Sequence, residues 1–133
     1  MHYKIGYCSD YYHLLVHADR SLWEEYPNKH FAQIDKDLNR TYPHDPFYTP
    51  EIKASIRRIL RAYIWRNNTI GYYQSMNYLV FRLRKYLCEE DTFWMFCLII
   101  ESYLPPDFYV DMYGATTHAT ILVRILQQYN ILP

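Results

Sequence analysis

Seven prolines, Pro27, Pro43, Pro46, Pro50, Pro105, Pro106 and Pro133, all stand outside the stretches whose apolar residues recur at helical spacing. A proline in a helix interior costs about 3 kcal/mol, so these positions mark gaps between helices rather than helices. With only three glycines in 133 residues, the gaps must be short turns. The pattern predicts an all-α chain, read as a single helical unit over residues 1–133.

From Ser9 or Asp10 to about Glu25, the residues Tyr11, Leu14, Leu15, Leu22 and Trp23 share a helical face, with Ser9 or Asp10 available as a cap. A shorter helix is predicted over about Phe31 to Arg40, with Phe31, Ile34 and Leu38 inward and polar residues outward. Pro43 and Pro46 disfavour helical geometry before them, so Thr41 to Thr49 reads as a loop. Thr49-Pro50-Glu51 then supplies an N-cap, a proline at the first helical position and an acid in the first turn. The helix that follows carries an apolar stripe of Ile52, Ile56, Ile59, Leu60, Tyr63 and Ile64, and a charged face of Lys53, Arg57, Arg58 and Arg61. Further helices are predicted over about Tyr72 to Leu87, Thr92 to Leu104 and Thr116 to Tyr129. Cys88 and Cys97 read as core residues.

Composition removes several function classes. Lys plus Arg and Asp plus Glu both total 14, so no excess positive charge draws the chain to nucleic acid or an anionic membrane. The longest apolar run, Phe93 to Ile100, is far short of the about 20 residues a membrane-spanning helix needs. Three cysteines without a Cys-x-x-Cys pair fit thiols in a reducing compartment. The amino terminus lacks a basic stretch followed by an apolar one, and the protein is read as intracellular. His13 and His17 lie four apart, but no Glu or Asp pattern completes a metal site, and none is expected. No phosphate-cradling glycine loop is present, so nucleotide binding by the chain alone is not expected.

Two short stretches are more specific. In Ile34-x-x-Asp37-x-x-Arg40, residues three apart line up on one side of a helix, and a carboxylate one turn back can orient a guanidinium at the helix end. By itself this is also what an exposed intrahelical ion pair looks like. In Gly71-Tyr72-Tyr73-Gln74-Ser75-Met76-Asn77, a glycine precedes Tyr-x-Gln at a predicted helix start, which places the glutamine amide at the rim. By itself this fits a helix-start hydrogen bond.

Together and in this order, the stretches resemble the TBC domain of Rab GTPase-activating proteins, the first its arginine-finger motif and the second its glutamine-finger motif. The resemblance extends to Tyr12-x-Leu14-Leu15, Asp37-Leu-x-Arg40-Thr-Tyr-Pro43, Tyr63, Trp65-Arg66-Asn67, Glu90-Asp91-x-Phe93-Trp94 and Leu104-Pro105-x-Asp107-x-Tyr109, so it covers roughly residues 11 to 129. It implies a multi-helix fold of which the chain carries the N-terminal and central portion. The second-half helices are expected to be missing, and their absence to expose apolar area.

For function, the resemblance implies that Arg40 and Gln74 act in trans on a GTP-bound Rab GTPase. Arg40 would stabilise phosphoryl charge and Gln74 would orient the attacking water. Asp37 would fix Arg40, and Tyr72, Asn77 and Trp65 would support the two finger loops. No cofactor of its own is implied, since GTP and Mg²⁺ would be bound by the Rab. The implied setting is vesicle traffic, with a cytoplasmic protein peripheral on endomembranes through the Rab and no direct membrane insertion. The alternative is a truncated module that binds a GTPase or another partner without activating hydrolysis. The family usually has a small residue, most often glycine, after the glutamine; Ser75 stands there, a change that helix geometry is expected to tolerate.

Overall fold

The computed structural model describes residues 10–105, 108, 109, 121 and 123–130. Every regular element among them is helical. They fall into two compact units, one ending at Cys97 and one beginning at Leu98.

The first unit is organised on its longest helix. In chain order it contains α1 (Tyr11–Leu22), α2 (His30–Asn39), α3 (Pro50–Arg66), α4 (Met76–Arg84) and α5 (Glu89–Leu98), the last reaching the unit's boundary. The start of α3 is the one expected: Thr49 is the N-cap, its hydroxyl accepts from the Ile52 N–H at 3.3 Å, and Pro50 opens the first turn. α3 packs against α1, α2 and α4. Ile56, Ile59, Leu60, Tyr63 and Ile64 of α3 are buried, as are Ile34 and Leu38 of α2 and Val80 and Phe81 of α4. Each such side chain contributes about 1.5 to 3 kcal/mol by leaving water. The Tyr63 ring meets Phe96 edge-on at 5.0 Å, and Tyr12 lies 4.8 Å from Phe93.

Several sequence expectations change in the structure. α1 turns a different face inward: Tyr12 is buried, whereas Leu14 and Trp23 are exposed. The Tyr11-Tyr12 doublet makes the two faces look alike in sequence, and a long-range bond selects between them. The Tyr12 hydroxyl donates to Glu89 Oε1 at 2.6 Å, and Arg58 grips both oxygens of the same carboxylate at 2.7 and 2.8 Å. Asp10 occupies the N-cap of α1 without a side-chain capping bond. Cys97 is buried but Cys88 is exposed.

Arg61 is not on a solvated face. It is buried, its guanidinium lies 3.9 Å from the centroid of the Phe31 ring, and its Nε is 3.0 Å from Asp19 Oδ2. The Trp65 indole donates to the other oxygen of Asp19 at 2.9 Å. Asp19 therefore neutralises a buried cation and joins α1 to α3.

The second unit begins with a π-helical segment, Ile99–Tyr103, not the continued α-helix expected to about Leu104. Among its described residues Phe108 and Tyr109 meet edge-on at 4.9 Å, and residues 123–128 are helical with Ile121, Val123 and Ile125 exposed. The start of the last predicted helix, from Thr116, lies outside the described residues.

Removing one partner of a buried ion pair leaves an uncompensated charge. Asp19→Ala is therefore expected to lower unfolding stability by about 3 kcal/mol, measured by urea denaturation. An unchanged midpoint would show that the Phe31 ring and solvent suffice for Arg61.

Candidate functional site

The site is built at the carboxyl-terminal end of α2. Phe31, Ile34 and Leu38 hold the helix to the core, and the same spacing brings Asp37 inward as well. Asp37 is wholly buried, although the sequence pattern put polar residues on the outer face. A buried carboxylate persists only if its oxygens are hydrogen-bonded. Arg40 and Gln33 donate to Oδ1, the latter at 2.9 Å, and the Tyr72 hydroxyl donates to Oδ2 at 2.5 Å. The Arg40 side chain remains 55% exposed. The guanidinium is thus anchored by one nitrogen while more than half of the side chain faces solvent.

Tyr72 reaches Asp37 because the turn after α3 is tightly specified. Asn67 caps α3; its carbonyl accepts from the Gly71 N–H at 2.9 Å, and its side-chain oxygen accepts from the Ile70 N–H at 3.1 Å. Gly71 has φ of +67°, and a Cβ there would stand 2.5 Å from His30 Nε2. Glycine meets both the left-handed conformation and the close approach. Burial raises the Tyr72 phenol above its ordinary pKa, and the bond to Asp37 and its negative charge raise it further. Tyr72 therefore remains a proton donor to Asp37 throughout the physiological range.

The segment carrying Gln74 is not a helix start. α4 begins at Met76, and Ser75 before it has φ of +101° and ψ of −26°. The expectation that helix geometry would tolerate serine there is corrected: a non-glycine residue holds a left-handed conformation costing about 1 to 2 kcal/mol. Gln74 is exposed, without a side-chain hydrogen bond to another described residue. It lies between two anchored residues. Before it Tyr72 bonds Asp37, and after it Asn77 accepts from the Ser75 N–H at 3.1 Å and donates to Thr41 Oγ1 at 2.7 Å.

Asp37, Arg40, Tyr72 and Asn77 are therefore brought into one network, with Gln74 on the segment it pins. Trp65 bonds to Asp19 on α1 instead, and lines a separate cavity of about 280 Å³ with Phe31 and Ile64. Thr41 and Gln33 were not singled out from sequence. The signal for Thr41 is a hydroxyl residue four positions after Asp37 at a helix end, where it can bond back to the i−4 carbonyl; it does so at 2.6 Å. Among the described residues no group of three or more His, Cys, Asp or Glu is placed to hold a metal ion, and His13 pairs with Glu90 at 3.5 Å. No helix among them is long and apolar enough to cross a membrane.

The profile of the Rab-GTPase-TBC domain matches residues 3–131. The chain belongs to this family. It is 37% identical over 109 residues to the GTPase-activating protein MSB4 of Saccharomyces cerevisiae, covering 76% of this chain and 22% of that protein. It is 32% identical over 130 residues to the GTPase-activating protein GYP3 of the same yeast, covering 89% of this chain and 20% of that one. TBC1 domain family member 2B of Xenopus tropicalis is 41% identical over 88 residues, 64% of this chain and 9% of that protein. The TBC-family chain thus spans about a fifth or less of these curated relatives. No solved structure matches it.

Two substitutions in the Gln74 segment should act in opposite directions. Ser75→Gly is expected to raise stability by about 1 kcal/mol by relieving the left-handed serine. Gly71→Ala should lower it by about 1 to 3 kcal/mol, since the new Cβ meets both the unfavourable φ and His30. Thermal melts of both variants check the pair; a destabilised Ser75→Gly would contradict the strained geometry.

Proposed function

We propose that the chain is a GTPase-activating module for a Rab family GTPase in its GTP-bound state, supplying Arg40 and Gln74 in trans. The observation that carries this reading is an arginine whose guanidinium is anchored by a buried carboxylate while more than half of its side chain is exposed, beside a segment that presents an exposed glutamine. Membership in the Rab-GTPase-TBC family supports it, as do relatives named as GTPase-activating proteins.

Hydrolysis of GTP builds negative charge on the transferred phosphoryl group and requires a positioned water. Arg40 would enter the partner's active site and meet that charge with the nitrogens that Asp37 leaves free. Because Asp37 holds the guanidinium in one orientation, less rotamer freedom is lost when it docks. Gln74, with its amide facing solvent, would hold the attacking water by accepting from it and donating to the phosphate side. Tyr72 and Asn77 would fix the two finger segments, and Trp65 would act at a distance by bracing α1 on α3. GTP and Mg²⁺ would belong to the GTPase, and any endomembrane association would come through it.

Single-turnover hydrolysis by a panel of GTP-loaded Rab proteins tests this. Acceleration of at least one is expected. Arg40→Lys and Gln74→Ala should each reduce it by about 10³-fold, while affinity for the GTPase bound to a non-hydrolysable GTP analogue changes little. A folded chain that binds a Rab without accelerating it would favour the non-catalytic reading, and acceleration that survives both substitutions would remove the two residues from the mechanism.

A further inference from the structure

Arg40 and Gln74 stand on segments far apart in sequence, and two residues can act on one phosphoryl group only if the segments keep a fixed register. The bond from Tyr72 to Asp37 ties them on one side of Gln74. On the other side the tie runs through Thr41, the residue after Arg40. Its hydroxyl donates to the Asp37 carbonyl at 2.6 Å and accepts from Asn77 Nδ2 at 2.7 Å. The other end of the same amide accepts the Ser75 N–H at 3.1 Å. Thr41 is fully buried and Asn77 nearly so, so neither can exchange these partners for water. Ser75 is exposed and holds a left-handed conformation, which persists only where its surroundings enforce it. Asn77 supplies that enforcement, and Thr41 supplies the link from Asn77 to the arginine-bearing helix end.

We propose that the Thr41 hydroxyl is a positioning group that, through Asn77 and the Ser75 N–H, holds Gln74 in register with Arg40. The proposal rests on the Rab-activating reading for its effect on rate, and on the hydrogen-bond chain alone for its effect on Ser75. Thr41 touches neither substrate nor water. Removing its hydroxyl should leave Arg40 and the docking surface in place while Gln74 loses its fixed position.

The test compares Thr41→Val, which keeps the shape and loses the hydroxyl, with Thr41→Ser, which keeps the hydroxyl. At saturating chain, Thr41→Val should lower the maximal hydrolysis rate about tenfold, with the half-saturating concentration unchanged within about twofold. Thr41→Ser should restore most of that rate. In a Gln74→Ala background, Thr41→Val should cost less than about twofold, because no glutamine remains to be positioned.

Hydrogen exchange at the Ser75 amide gives a readout independent of activity. In the unaltered chain the amide should exchange at least about 100-fold slower than an unstructured one; Thr41→Val should remove at least about tenfold of that protection and Thr41→Ser should not. If no GTPase responds to the unaltered chain, the functional reading fails and exchange alone decides whether the bridge exists. An unprotected Ser75 amide in the unaltered chain overturns the bridge even if Thr41→Val does not fold. A loss of rate that appears only as weaker half-saturation, or that persists undiminished in the Gln74→Ala background, overturns the positioning role.

Discussion

A carboxylate without exposed surface stands three residues before an arginine that is mostly exposed, and the geometry of both proposed fingers depends on how its charge is met. Asp37 cannot be solvated, so it must collect donors from the protein. Gln33 and Arg40 come from its own helix and that helix's end, while Tyr72 comes from 35 residues further along. Satisfying the charge therefore also docks one segment on the other. The cost of burial converts a local helix-end pair into a long-range constraint, because any motion of Tyr72 away from α2 leaves an oxygen unpaired.

The surrounding fold prepares that docking. α3 provides the apolar surface on which α1, α2 and α4 pack, and its end delivers the turn 67–71. Gly71 admits the left-handed conformation against His30, and Ser75 repeats it at greater cost. Between these two unusual conformations Gln74 is exposed, which helical continuation from Tyr72 would not have achieved in the same way. Near the same end of α3, Asp19 offsets the buried charge of Arg61 and receives the Trp65 indole. The buried Asp37 and the part-buried Asp19 follow one rule: an acid from one segment joins a cation and an aromatic donor.

Where the signal is local, sequence and structure agree. Thr49-Pro50-Glu51 placed the start of α3, and the spacing of Phe31, Ile34 and Leu38 placed α2 within a residue at each end. The same periodicity misplaced the face of α1, since adjacent tyrosines differ only in which one finds Glu89 across the core. It put Arg61 on a solvated face, because its partner Asp19 lies 42 residues earlier. The late start of α4 was illegible for another reason: nothing in Gln74-Ser75-Met76 signals a left-handed serine, which is held by tertiary bonds against its own preference. The resemblance of motifs pointed to Asp37, Arg40 and Gln74, whereas the bond from Asn77 to Thr41, across 36 residues, has no local signal in the sequence.

The most direct test of this account is the coupling energy between Asp37 and Tyr72, from urea unfolding of Asp37→Asn, Tyr72→Phe and the double variant. A buried, charge-assisted bond that joins two segments should give a coupling of about 1 to 3 kcal/mol, the double variant losing less than the two single losses combined. Additive losses would mean that Tyr72 merely packs beside Asp37, and that the segments carrying Arg40 and Gln74 are held together by something else.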